Sequence, residues 1–95
     1  MIQFLRSKNL KILKTRWRTT YAEIDILAES PRGEVWIFEV KSLSHFDFLD
    51  VRVSRRQKER LKRAFLFVQS KTRKPVQIAL AFVDKTGEVL IIENF

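Results

Sequence analysis

Four charged residues, arranged as two pairs, are the part of this sequence best suited to chemistry. Glu23 and Asp25 stand two residues apart, and further along the chain Glu39 and Lys41 repeat that spacing. Both pairs lie in segments where apolar and polar residues alternate, the pattern of a half-buried β-strand. Because side chains two residues apart on a strand lie on the same face, each charged pair is expected to share one face of a sheet.

The two segments are joined by a turn. Residues 30–33 read Ser-Pro-Arg-Gly, which predicts a turn, so residues 21–29 and 34–42 are expected to form an antiparallel hairpin. In the first strand the alternation predicts two faces, with Ala22, Ile24, Ile26 and Ala28 on one and Glu23, Asp25, Leu27 and Glu29 on the other. In the second strand Trp36, Phe38 and Val40 share one face, and Val35, Ile37, Glu39 and Lys41 share the other.

This hairpin predicts a cation site. A loop over residues 30–34 pairs Asp25 with Glu39 and makes Glu23 face Lys41. Opposed side chains on one face have Cβ atoms about 4.5–5.5 Å apart, so two carboxylates destabilise the strand pair unless a cation lies between them. Mg²⁺ is commonly held by one or two carboxylates, waters and phosphate oxygens, which suits so sparse a site. The alternative is cross-strand charge pairing on a solvated face.

The remaining segments predict one α/β domain over residues 1–95. A short helix is expected at residues 1–8, and a first strand leads into Trp17, a residue suited equally to stacking on a base and to anchoring the core. Ser54 and Gln57 fit a capping box at the start of a helix. Two more strands follow, so the element order is α-β-β-β-α-β-β. We expect a mixed five-stranded sheet with the basic helix packed on it, and a parallel pairing of the two strands that the helix connects.

Charge indicates the type of partner. The chain has 19 Lys and Arg against 11 Asp and Glu, a net charge of +8. Six bases and no acid fall in residues 1–22, and seven bases against one acid in residues 52–63. A polyanion is the natural ligand of such clusters, because each neutralised phosphate releases counterions; the alternative is a solvated basic face that confers solubility. The residues expected to contact phosphates are Arg16, Arg18, Arg52, Arg55, Arg56, Lys58 and Lys62.

Composition excludes other classes. The chain has no cysteine, so neither a disulfide framework nor a thiolate zinc site is available, and a reducing cytoplasm is the expected compartment. Bases interrupt the first eighteen residues, and the longest apolar run is far too short for a bilayer. We therefore expect no membrane association.

The motifs resemble a known family. Glu23-Ile24-Asp25 followed by Phe38-Glu39-Val40-Lys41 resembles the PD-(D/E)xK nuclease signature, and its position on a strand–turn–strand before a basic helix strengthens the likeness. The wider pattern resembles the YraN-like family of small bacterial proteins, relatives of archaeal Holliday-junction resolvases, through Ile12-Leu13, Trp17-Arg18, Tyr21-Ala22-Glu23-Ile24-Asp25-Ile26 and Glu93-Asn94-Phe95.

The resemblance implies a restriction-endonuclease-like fold and a metal-dependent phosphodiesterase site. Asp25, Glu39 and the carbonyl of Val40 would be ligands of Mg²⁺, with Mn²⁺ as the alternative ion. Lys41 would orient or deprotonate the attacking water and stabilise charge on phosphorus. The family also places polar helix residues near the site, here Gln57 or Lys58. The ligand implied is DNA, in particular branched or junction DNA, and a homodimer would cut two strands.

The chain departs from the family pattern. The family's longer first helix carries a glutamate that faces the site, and here the N-terminal helix is expected to be truncated before it. Ala22 stands where glycine is usual, and Leu43 where arginine is usual. Glu23 is hypothesised to replace the lost glutamate as a fourth catalytic residue. Three functions stay open: a metal-dependent structure-selective nuclease, a nucleic-acid-binding module that has lost the chemistry, and a basic domain that binds an acidic protein.

Overall fold

The computed structural model describes residues 1–43 and 54–93. Within these two ranges, two helices and five strands follow one another in the predicted order: α1 (Ile2–Ser7), β1 (Lys11–Arg18), β2 (Glu23–Glu29), β3 (Val35–Ser42), α2 (Arg55–Gln69), β4 (Val76–Val83) and β5 (Val89–Ile92). The expectation of a mixed α/β architecture is confirmed. Predicted site residue Arg52 lies outside the described residues.

The strands form one sheet in the order β1-β2-β3-β4-β5. All neighbours are antiparallel except β3 and β4, which run parallel. Helix α2 makes the crossover between these two strands, as a parallel connection requires. The predicted parallel pairing is therefore confirmed, and the β3 end that carries Glu39 lies close to the point where the chain leaves for α2.

Helix α2 begins with the predicted capping box. The Ser54 hydroxyl accepts a hydrogen bond from the Gln57 N–H at 3.1 Å, and the Gln57 side-chain oxygen accepts one from the Ser54 N–H at 2.8 Å. These two bonds satisfy backbone donors that a helix start otherwise leaves free. Leu61, Ala64 and Val68 then form the buried stripe of the helix, at the 3–4 residue spacing that places side chains on one face.

Apolar side chains form a core on each face of the sheet. Leu61, Ala64 and Val68 pack with Val35, Ile37, Leu80 and Phe82 on the α2 face. On the other face Leu5 of α1 packs with Ile26, Ala28, Phe38 and Ala79. Strand β3 follows the predicted alternation, because Val35 and Ile37 belong to the first core while Trp36, Phe38 and Val40 lie against the second.

The predicted faces of β2 are wrong at one end. Ile24 and Leu27 both belong to the core on the α2 face, whereas Ile26 and Ala28 belong to the other core. The alternation therefore shifts once, at Asp25. On β1 the residue between the partners of Ile24 and Ile26 is Arg16, which has a φ of +48°. A residue in the left-handed conformation interrupts the pleat of a strand. An arginine in the sequence does not predict this conformation, which glycine and asparagine favour.

Candidate functional site

The β2–β3 hairpin has the predicted register but ends in a side-chain contact. Glu29 pairs with Val35, and the pairing runs as far as Ile26 and Phe38. One residue further, the Asp25 carboxylate accepts a hydrogen bond from the backbone N–H of Val40 at 2.8 Å. Asp25 thus lies where backbone pairing of the two strands stops, and its side chain satisfies a strand donor there.

Glu39 is the most buried acid of the predicted site. It is 5% exposed and continues the stripe of Val35 and Ile37 that faces α2. Its Oε1 lies 3.2 Å from the Arg60 Nε, while its Oε2 has no hydrogen-bond partner among the described residues. Burial raises the pKa of the Glu39 carboxyl, and the charges of Asp25 and Glu23 raise this pKa as well, against the lowering effect of Arg60 and Lys41. The charges of these four residues therefore all act on the Glu39 carboxyl.

Arg60 supplies a cation that the sequence-based hypothesis assigned to metal. Its guanidinium lies 3.2 Å from Glu39 and 3.4 Å from a carboxylate oxygen of Glu23. The predicted pairings of Asp25 with Glu39 and of Glu23 with Lys41 lie beyond the strand pairing, which stops at Ile26 and Phe38. The ion-pair partner of Glu23 is on α2. A planar guanidinium presents several donors at fixed angles, so one arginine can bridge two carboxylates.

Lys41 lies two residues beyond Glu39, at the exposed end of β3. Strand alternation places it on the same face as Glu39. Its charge contributes to lowering the Glu39 pKa, so the ammonium group lies within electrostatic range of the carboxylate. Asp25, Glu39 and Lys41 lie at the same end of the β2–β3 pair, where Asp25 also lines a cleft with residues 1–3.

The prediction made from the sequence places a divalent ion at this end of the hairpin. Among residues 1–43 and 54–93, no group of three or more His, Cys, Asp or Glu residues is arranged to hold a metal. The two carboxylates of Asp25 and Glu39 and the carbonyl of Val40 stay a prediction as metal ligands. Mg²⁺ accepts so few protein ligands because it keeps several waters, and the Oε2 of Glu39 is a buried oxygen still without a hydrogen-bond partner. Glu23 differs from Asp25 and Glu39, because its side chain is exposed and forms an ion pair with Arg60.

Three arginines form a stripe on one flank of α2. Arg56, Arg60 and Arg63 are spaced by four and three residues, which places them in a row along the helix. They line an open cleft whose other wall is the end of the β1–β2 hairpin, formed by Thr19, Thr20, Tyr21, Ala22 and Glu23. We call this the arginine cleft. Arg60 and Arg63 are absent from the residues predicted from sequence, although their spacing from Arg56 carries the signal.

The other predicted phosphate contacts are distributed around the molecule. Arg16 and Arg18 line a neighbouring cleft together with Glu23 and Asp25. Arg55 forms an exposed ion pair with Glu59 at 3.4 Å. Lys58 and Lys62 are exposed, and helical periodicity places them on the flank opposite the arginine cleft.

Gln57 has a structural use in this protein. The residue is 9% exposed, and its side-chain oxygen and backbone N–H are both engaged in the capping box. The Gln57 backbone N–H and side-chain oxygen therefore serve the start of α2.

Aromatic side chains extend the arginine cleft. Trp17 packs against the core on the α2 face, as one of its two predicted roles required, and its ring meets that of Phe67 edge-on with centroids 5.4 Å apart. Tyr21 stacks on Phe67 with centroids 6.1 Å apart. Sequence analysis missed Tyr21 and Phe67, because 46 positions separate them and no local pattern links them.

The fold and site define a small α/β protein with an acidic pair beside a basic helix. The chain matches the family described as "Uncharacterised protein family UPF0102" over residues 1–84, and it belongs to that family. The match confirms the small-protein family predicted from the sequence, while the PD-(D/E)xK superfamily and the relationship to resolvases stay predictions. Among the described residues no helix is both long and apolar enough to cross a membrane.

Individual relatives carry the same family name. A UPF0102 protein of Rhodopseudomonas palustris is 41% identical over 58 residues, which span 61% of this chain and 44% of that protein. UPF0102 proteins of Thermotoga petrophila and Thermotoga maritima are each 32% identical over 89 residues, covering 90% of this chain and 80% of theirs. The chain thus matches less than half of the Rhodopseudomonas relative's length.

Proposed function

We propose that this protein binds the phosphate backbone of nucleic acid through the arginine cleft. The observation that carries the proposal is the row of Arg56, Arg60 and Arg63 along one flank of α2, beside the strand ends that hold Asp25 and Glu39. Guanidinium groups bind phosphate in a bidentate manner. Arg56 and Arg63 make no ion pair within 4 Å to any residue that the structure describes, so both are available to a ligand.

The rest of the surface supports a polyanionic ligand. The net charge of +8 attracts nucleic acid from a distance and favours retention once it is bound. Arg16 and Arg18 continue the basic surface towards Asp25. A phosphate that contacts Arg60 would draw the guanidinium away from Glu39. Phosphate and the Glu39 carboxylate would therefore compete for Arg60.

Phosphodiester hydrolysis is the second candidate, and the end of the β2–β3 hairpin favours it. Asp25, Glu39 and the Val40 carbonyl would hold Mg²⁺ or Mn²⁺. When bound, such an ion supplies charge neutralisation and lowers the pKa of a coordinated water. Lys41 would position the water and stabilise the charge that develops on phosphorus. If the arginine cleft binds nucleic acid and this site is inactive, the protein is a binding module of nuclease ancestry.

The resemblance drawn from the motifs extends this proposal. We propose that the fold belongs to the restriction-endonuclease-like class; the antiparallel β1-β2-β3 meander, followed by a helical crossover to a parallel strand, supports this proposal. The ligand would be DNA, with branched or junction DNA favoured by the likeness to resolvases, a homodimer as the acting form and the cytoplasm as compartment. These points rest on analogy at the level of the fold.

Binding to a fluorescently labelled 20-base-pair duplex in EDTA tests the main proposal. Affinity should fall steeply between about 50 and 200 mM salt. The double variant R56E/R63E should bind at least roughly tenfold more weakly, with the salt slope reduced by about 2 because two phosphate contacts are lost.

A matched control is available at the other end of the sheet. Arg32 lies in the β2–β3 turn and Arg73 just before β4, next to the paired residues Val35 and Val76. The double variant R32E/R73E changes the net charge equally and should bind within about twofold of the wild type. Equal weakening by both double variants would reduce the effect to bulk charge, and an affinity independent of salt would exclude nucleic acid as the ligand.

A further inference from the structure

An exposed aromatic ring beside the arginine cleft has no role in the core. Tyr21 is 74% exposed, although its ring stacks on Phe67. Trp17 and Phe67 pack against the core on the α2 face, so burial explains both of them. Tyr21 lies on the outer side of this group, and burial does not account for its position.

The backbone holds Tyr21 in place. The Thr19 hydroxyl accepts hydrogen bonds from the N–H groups of Tyr21 and Ala22 at 3.1 and 2.9 Å, and the Thr19 N–H donates to the Ala22 carbonyl at 2.9 Å. These bonds form a tight turn at the tip of the β1–β2 hairpin. The ring is therefore presented on a rigid support, and binding to it costs little ordering entropy.

The surroundings of the ring are apolar at the centre and cationic at the edge. Tyr21 lines a second cleft with Arg63, Leu66, Phe67, Ser70 and Lys71, which we call the aromatic cleft. Lys71 Nζ lies 5.5 Å from the centroid of the Phe67 ring, and the described lining contains no acid. A planar apolar ring that carries a negative charge is the ligand that fits this combination, because the ring stacks and the charge meets the cations.

The two clefts are continuous. Both are lined by Tyr21 and Arg63, and the helix flank from Arg56 to Phe67 is about 16 Å long at 1.5 Å per residue. Stacked nucleotides advance about 3.4 Å each along a strand, so the flank spans up to about five of them. The arginine cleft can thus take phosphates while the aromatic cleft takes a base from the same strand.

We infer that the aromatic cleft binds an unpaired base of a nucleic-acid strand, stacked on Tyr21, while Arg56 and Arg63 hold the neighbouring phosphates. The inference rests on the proposed function and gives it a ligand class. Bases inside a duplex are stacked on each other and have no free face for a protein ring, whereas single strands offer one at every nucleotide. The protein is accordingly selective for single-stranded or locally unpaired nucleic acid over a continuous duplex.

Binding of labelled 20-nucleotide single strands tests the inference, with the matched duplex measured in the same buffer with EDTA. Wild-type protein should bind the single strand more tightly than the duplex. Tyr21→Ala should weaken single-strand binding roughly tenfold, the typical loss for one stacked base, and change duplex binding by less than about twofold. Tyr21→Phe should restore wild-type affinity, because it keeps the ring.

Leu13→Ala is the control for loss of an exposed apolar side chain, since Leu13 is 39% exposed on β1 and lines neither cleft; it should leave both affinities unchanged. Oligo-dT and oligo-U strands separate DNA from RNA as the source, and preferential binding of either supports the inference. Equal affinity for single strand and duplex, or equal loss of both in Tyr21→Ala, overturns it. Failure of the proposed function would give a different result from these two outcomes. In that case neither the single strand nor the duplex would show salt-dependent binding.

Discussion

The two ends of the β2–β3 hairpin each carry a carboxylate–cation pair, and they differ in burial. At the turn end Glu29 meets Lys74 at 2.7 Å, with the two side chains 26% and 51% exposed. At the other end Glu39 meets Arg60 at 3.2 Å, and the Glu39 side chain is 6% exposed. The turn end is closed by backbone hydrogen bonds of Ser30 with Gly33 and Glu34. At the other end, beyond the last backbone pair, the Asp25 carboxylate accepts a hydrogen bond from the Val40 N–H.

The difference separates a solvated ion pair from a buried one. Water solvates the Glu29–Lys74 pair, so its contribution to stability is small. Burial of Glu39 carries a desolvation cost that is offset only when every oxygen has a partner, and its Oε2 has none among the described residues. A buried acid that is incompletely satisfied, next to Asp25 and Lys41, is an arrangement typical of functional sites.

The largest expected effect is on cleavage. If the site is active, Asp25→Ala and Glu39→Ala should each lower the rate on branched substrates with Mg²⁺ or Mn²⁺ by on the order of a hundredfold or more, since even residues that only orient metal ligands cost 10–100-fold. Nucleic-acid binding should stay intact or tighten, because each carboxylate repels phosphate. Glu29→Ala, at the turn end, should leave the rate unchanged. Cleavage of junction, flap and single-stranded substrates measures this, and absence of both cleavage and millimolar Mn²⁺ binding in the wild type would identify a binding module.

Removal of the Lys41 side chain should lower the cleavage rate without changing the affinity for the metal ion. Lys41→Ala is expected to lower cleavage by roughly a hundredfold, because the ammonium acts on water and phosphate. Mn²⁺ affinity, measured by calorimetry, should stay within about twofold of the wild type. Lys74→Ala removes a lysine from the turn end and should change neither quantity. A large loss of Mn²⁺ affinity in Lys41→Ala would instead show that Lys41 maintains the ligand geometry.

The two ion pairs should differ in their effect on stability. Arg60→Gln leaves the buried Glu39 carboxylate without its cation and should lower the free energy of unfolding by roughly 2 kcal/mol, a partly exposed arginine giving less than a fully buried pair. Lys74→Gln breaks the exposed pair and should cost about 0.5 kcal/mol or less. Urea denaturation in EDTA at neutral pH compares the two. Equal losses of unfolding free energy in the two variants would mean that water solvates Glu39 to the same extent as Glu29.

The smallest effect concerns pH. Because burial raises the pKa of Glu39 in the folded protein, the unfolded chain releases this proton more readily, and the stability associated with protonated Glu39 is lost as pH rises through its folded pKa. Glu39→Gln removes this loss, so the variant should gain stability relative to the wild type as pH rises from the ordinary carboxyl value of 4.5 through the folded pKa of Glu39. Glu29→Gln should show no such gain. Urea midpoints across this range measure the difference, and a constant offset for Glu39→Gln would contradict a raised pKa.

Local signals in the sequence accounted for most of the fold. Alternation identified the strands, Ser54 and Gln57 identified the start of α2, and the loop length set the pairing of Glu29 with Val35. The face shift of β2 was not predicted, because it lies opposite the left-handed Arg16 on another strand and no local pattern in β2 signals it. The candidate site was predicted only to the extent that it lies on one hairpin, where Asp25, Glu39 and Lys41 occur within seventeen consecutive residues.

By itself the sequence determined the elements, the hairpin register, the face of Glu39 and the basic character of α2, because each of these follows from periodicity, capping or turn chemistry among near neighbours. Only the tertiary structure decided that Arg60 contacts Glu23 and Glu39, and that Tyr21 stacks on Phe67. The Arg60–Glu23 contact spans 37 positions. Contacts of that range depend on how α2 docks on the sheet, and this docking is set by the summed packing of both cores rather than by any local pattern.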